Sequence, residues 1–162
     1  MQSFRVIKPT AALVPYVRHY WVLSDDALAP VSERTLPVGC VQMVFHRGRQ
    51  LFSLTEGRLQ PSSFISGQAF GYSDVESTGM LEMIVVVFQP FAAKAFLHMP
   101  VSEFRGMNVN TEETGDPLLV DLGRRIADMP DRVACIRLIE EFLLSRLYAF
   151  PEYNLKRVST VL

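Results

Sequence analysis

Within the eight residues Leu81 to Phe88 (LEMIVVVF) the only charged side chain is Glu82, and Ile84, Val85, Val86 and Val87 are β-branched in succession. Branching at Cβ suits the pleated backbone, and a run without polar alternation needs cover on both faces. The segment therefore predicts a central strand with material packed on either side. Gln89 and Pro90 end it, since proline has no N–H to give to a ladder. The helix formers Ala92, Ala93, Lys94, Ala95 and Leu97 then predict a short helix closed by Pro100.

Upstream the pattern is that of strands. Residues 4 to 15 mix apolar groups with Pro9 and Pro15, which predicts a short edge segment and a turn. Val17, His19, Trp21 and Leu23 fall on one side of an extended run, with Arg18, Tyr20, Val22 and Ser24 on the other. Short strands are expected at 31 to 36, 41 to 47, 50 to 56, 62 to 67 and 72 to 78. The turn residues between them are Pro37-Val38-Gly39, Arg47-Gly48-Arg49, Glu56-Gly57-Arg58 with Pro61, and Gly67 to Gly71. This spacing indicates an antiparallel sandwich or barrel.

Downstream the period changes. Met107 to Thr114 is polar and reads as irregular. Asp116-Pro117 reads as an N-cap with proline at the first helical position, and Leu118, Leu122 and Ile126 share a face. A second helix starts near Asp131, with Val133, Ile136, Ile139, Leu143 and Leu147 at steps of three and four. Such a stripe meets another helix, within the chain or across a dimer.

A chain of 162 residues suffices for one well-buried core, read as a single domain with a C-terminal helical extension. Its net charge of -1 lacks the basic surplus that neutralises phosphates, so these residues are not expected to grip nucleic acid alone. Cys40 and Cys135 stand far apart in apolar surroundings and offer neither a disulfide framework nor paired zinc spacing. Reduced thiols, no export signal and no apolar run of spanning length lead to the expectation of a cytoplasmic protein without membrane contact.

The three histidines, His19, His46 and His98, lack the closely spaced pair that a cupin-type metal site uses, so no metal site, cofactor or catalytic residue is expected. No nucleophile motif appears, and Gly67-Gln68-Ala69-Phe70-Gly71 has no helix after it to hold a phosphate. His46 shares a strand face with Gln42 and Val44, and together with Glu82 of the central strand these side chains are candidates to line one cavity. Aromatic walls with a few inward amides also describe a small-molecule pocket, which adds Tyr20, Trp21, Phe45 and Gln68 as candidate ligand contacts. The bland counterparts are core packing for the aromatics and a solvated amide for Gln68.

Four stretches, in order, resemble the N-terminal domain of one branch of AraC-type (AraC/XylS) bacterial transcription regulators. They are Leu13-x-Pro15-Tyr16-Val17-x-x-Tyr20-Trp21, then Arg34-x-Leu36-Pro37-x-Gly39 with Val41 to Phe45, then Ser66-Gly67-Gln68, and Val87-Phe88-Gln89-Pro90 through Leu97-x-x-Pro100. Where that branch commonly carries aspartate in its Leu-Pro-x-Gly turn, this chain has Val38. The resemblance implies an α+β fold, an antiparallel cupin-like β-barrel or sandwich followed by C-terminal helices. It also implies a regulatory half, residues 1 to 150, that senses an unknown small-molecule effector and forms a homodimer. Residues 151 to 162, ending LKRVSTVL, would be the linker and the start of a helix-turn-helix half through which DNA is bound. Dimer contacts are expected at Val133, Ile136, Ile139 and Leu143, the alternative for this stripe being packing on the chain's own sheet.

Two other functions fit the same residues. One is a stand-alone cupin-like small-molecule-binding protein or metal enzyme using His46 and Glu82. The other is a dimerisation module with no ligand.

Overall fold

A computed structural model describes residues 2–25, 32–35, 40–67, 73–90, 92–97 and 108–148. Among the described residues ten strands precede a pair of helices. The strands are β1 (Gln2–Ile7), β2 (Val17–Asp25), β3 (Ser32–Thr35), β4 (Gln42–His46), β5 (Phe52–Ser53), β6 (Arg58–Leu59), β7 (Ser63–Ser66), β8 (Ser73–Glu76), β9 (Leu81–Phe88) and β10 (Asn108–Asn110). The helices are α1 (Pro117–Asp128) and α2 (Arg132–Tyr148). Six strands form one sheet in the order β1-β2-β9-β4-β7-β10, and four form another in the order β3-β8-β5-β6. Every pairing is antiparallel. The molecule is thus α+β, with antiparallel sheets followed by C-terminal helices, as expected.

The strand from Leu81 to Phe88 lies inside the larger sheet, between β2 and β4. Its side chains alternate between two cores. Ile84, Val86 and Phe88 join Met43, Phe45, Tyr20 and Val22 beneath the helices, where Leu119, Ile126, Ile139 and Leu143 cover them. Met83, Val85 and Val87 face the other way and pack with Val44, Phe64, Leu51 and Val75 in the layer between the sheets. Both faces are covered, which is why this run carries so few polar residues.

Several expectations need correction. The alternation in β2 changes phase at a bulge between Val17 and His19, so Val17 shares the helix-side core with Tyr20 and Val22 while Trp21 and Leu23 serve the inter-sheet layer. The single strand expected at 50 to 56 is the two-residue β5 followed by a turn, and β6 at Arg58–Leu59 returns beside it where the sequence placed turn residues. Glu56 N donates to Ser53 Oγ at 3.1 Å and Gly57 adopts a positive φ of 70°, which folds the chain back on itself. Residues 108–110, read as irregular, form β10 against β7, because backbone pairing at a sheet edge needs no apolar side chain. The helix expected after Pro90 is, within residues 92–97, a single 3-10 turn at Ala93–Ala95.

Asp116 caps α1 as the sequence suggests, its side chain accepting from Leu119 N at 3.4 Å. The buried face of α1 is Leu119, Leu122 and Ile126, and Leu118 is exposed instead of joining it. Arg146, near the end of α2, reaches back to both Asp116 oxygens, at 2.6 and 2.7 Å. That buried ion pair ties the beginning of the first helix to the end of the second.

Candidate functional site

The candidate ligand residues divide between the two faces of the larger sheet. Trp21, Gln42 and His46 belong to the inter-sheet side. Across the ladders Trp21 stands opposite Val85, Gln42 opposite Val87 and His46 opposite Met83. Tyr20 and Phe45 point to the helix side and are fully buried there. Glu82, next in line before Met83, also lies on the helix side, so it does not share a cavity wall with His46. Gln68 lies outside the described residues.

His46 is the chemically distinctive residue of the inter-sheet layer. It is almost completely buried, 6.2 Å from the Phe64 ring by centroids, and its Nε2 lies 3.1 Å from Gln60 Oε1. Burial pushes its pKa down to about 4 against the smaller opposing effect of the Gln60 hydrogen bond, so the imidazole is neutral near pH 7. With Nε2–H donating to Gln60, Nδ1 is left as a lone-pair acceptor, and it has no hydrogen-bond partner among the described residues. No group of three or more His, Cys, Asp or Glu that could hold a metal ion occurs among the described residues.

On the helix side, Tyr20 donates its hydroxyl to Glu140 Oε2 at 3.0 Å, and the same oxygen accepts Thr10 N at 2.9 Å. Burial first, then the Glu140 charge and hydrogen bond, hold the phenol above its ordinary pKa. Glu140 thus joins α2, β2 and the segment before a 3-10 turn at Ala11–Leu13. Phe45 is core. Neither Tyr20 nor Phe45 faces the layer that contains His46.

Glu82 opens on an external groove of about 770 Å³, lined by Ser24, Asp25, Arg47–Arg49, Gly79–Glu82 and Arg132. Its carboxylate accepts from Arg47 Nη1 and from Arg132 Nε, the latter at 2.8 Å. The remaining donors of Arg47 reach the carbonyls of Ile126, at 3.3 Å, and Met129, closing the C-terminal end of α1. Sequence reasoning found Glu82 but neither arginine. Their separations of 35 and 50 residues leave no local pattern to read.

Of the stripe assigned to dimer contacts, Ile136, Ile139 and Leu143 are buried in this chain's own helix-side core, whereas Val133 is exposed. The three buried residues cover the sheet and are not available to a second copy. No helix among the described residues is long and apolar enough to cross a membrane.

Fold and site together define an antiparallel two-sheet domain backed by a helix pair, with a buried neutral histidine between its sheets. The chain belongs to the family described as a domain of unknown function, DUF6597, whose pattern matches residues 5–110. No curated protein matches it. Among solved structures, the crystal structure of cobalt(II) HppE in complex with Tris buffer is similar at a TM-score of 0.40 and 10% identity. That likeness covers 54% of this chain and 53% of the other, about half the length of each.

Proposed function

We propose that this chain is the effector-sensing and dimerising half of an AraC-type transcription regulator, acting as a receptor and not as a catalyst. The observation that carries the reading is His46 Nδ1, a buried acceptor in the inter-sheet layer with no partner among the described residues. An unmade hydrogen bond at such a position costs free energy, and a small molecule presenting an O–H or N–H there would recover it. Trp21 and Gln42 stand on the same face and supply an aromatic wall and an amide. The ordered motifs that resemble the regulator domain add the biological context.

Signal output follows from differential affinity: an effector must bind one arrangement of sheet and helices better than another. The Tyr20–Glu140 hydrogen bond offers a route, because Tyr20 is the chain neighbour of Trp21 while Glu140 belongs to α2. In this reading the dimer contact uses the outward side of α2, including Val133, and DNA is met only through a helix-turn-helix half joined after this domain. Localisation in the cytoplasm belongs to the same proposal.

The test has two arms. A thermal-shift screen of metabolites should yield a ligand that raises the melting temperature, with the rise diminished in His46→Phe. The chain fused to a monomeric helix-turn-helix domain should bind a paired operator with an affinity that the same ligand changes. Ligand binding without any change in operator affinity would favour the stand-alone binding protein. Absence of both effects would favour a dimerisation module without ligand.

A further inference from the structure

The groove at Glu82 is separate from the inter-sheet layer and has its own chemistry. It lies where β2 ends, β4 turns through Arg47 to Arg49, β9 begins and α2 starts. Three arginines, Arg47, Arg49 and Arg132, line it against two carboxylates, Asp25 and Glu82. The arginines are not equivalent. Arg47 is nearly buried and is committed to Glu82 and to the two carbonyls of α1. Arg132 gives only Nε to Glu82, and its two terminal amino groups meet no acceptor among the described residues. Arg49 is exposed, and its guanidinium likewise meets none.

The position of Arg49 is built into the turn. Gly79 has a φ of 152°, and a Cβ there would stand 3.0 Å from Arg49 Cγ, so the arginine stem lies against the bare glycine. Beside it Met80 is exposed, an apolar side chain of length sufficient to cover a small organic body. Two guanidinium ends held on one groove can fork onto a carboxylate with charge-assisted hydrogen bonds. The start of α2 adds the positive end of its backbone dipole.

We infer that this groove binds a small organic carboxylate, its anionic end on Arg132 and Arg49 and its apolar body on Met80. Glu82 is a positioning residue: it holds Arg132 by one edge so that the other edge faces the ligand. Occupancy would link the turns of the sheet to the first residue of α2.

The experiment is a nuclear magnetic resonance titration of the labelled chain with benzoate and succinate. Benzamide serves as the uncharged counterpart and inorganic phosphate as the alternative anion. Both carboxylates should give saturable shifts of the Arg49 and Arg132 Nε–H signals and the Met80 methyl, and benzamide should give none. Arg49→Gln and Arg132→Gln should each weaken binding about tenfold. Arg49 makes no side-chain hydrogen bond among the described residues, so Arg49→Gln keeps the fold and the test intact. No saturable shift, equal binding of benzamide, undiminished binding in both variants, or binding of phosphate alone would each overturn the assignment. A ligand found through His46 leaves these outcomes unaffected, so the two sites stand or fall separately.

Discussion

At His46 the depressed pKa makes a prediction with a definite sign. The unfolded chain takes up a proton near pH 6.5 and the folded one only near about pH 4, so acid favours the unfolded chain. The stabilising contribution is complete above about pH 6.5 and is lost as pH falls towards about 4, amounting to about 3 kcal/mol. Urea unfolding across that interval should show a steeper loss for the native sequence than for His46→Phe. A second residue-scale prediction concerns Tyr20→Phe, which removes the hydroxyl donated to Glu140 while leaving the ring. It should cost about 1.5–3 kcal/mol in urea unfolding, the range for hydrogen bonds to a charged partner.

At the scale of elements, the approach of α1 to the sheet depends on Gly123. A Cβ there would lie 2.6 Å from Ser63 Oγ, and that hydroxyl is already engaged with Thr111 Oγ1 at 2.8 Å. Gly123→Ala should therefore lower the melting temperature despite alanine's better helix propensity. In α2, Ile139→Ala and Leu143→Ala should each cost about 2–5 kcal/mol, as deletions from a filled core do. Val133→Ala should leave stability nearly unchanged. If the outward side of α2 is a dimer contact, light scattering should show Val133→Asp as a weaker dimer than the native chain.

How much of this was readable depended on whether the signal was local. The strand at 81–88, the cap at Asp116 and the start of α2 announce themselves through composition and spacing, and the structure has them where the residues indicate. The bulge in β2 leaves no trace, because one extra residue changes which side chains point inward without changing which residues are present. That single offset separates Trp21 from Val17. It was also invisible that Leu119, and not Leu118, would turn inward. The phase of α1 is set by contacts with the sheet, which its own residues do not encode.

For the molecule as a whole, the Asp116–Arg146 pair is the tie between the two helices. Breaking it with Asp116→Ala would leave a buried guanidinium without its carboxylate, and chemical unfolding should show a loss of about 3–5 kcal/mol. The candidate site was half legible for a related reason. His46 was found because histidines are few and strand faces alternate. Its separation from Glu82 follows from strand register: His46 pairs with Met83, one residue past Glu82, so the two side chains point to opposite faces, and no local pattern fixes that register.

One consequence follows from the place of β9. Val85 and Val86 are neighbours in the chain, yet each is sealed into a different compartment. Interiors packed to crystal density have little slack, so a guest that widens one compartment must displace the wall of the next. The strand acts as a drumskin: a push delivered from the side of His46 is heard beneath the helices through a single peptide plane, with no loop in between to absorb it.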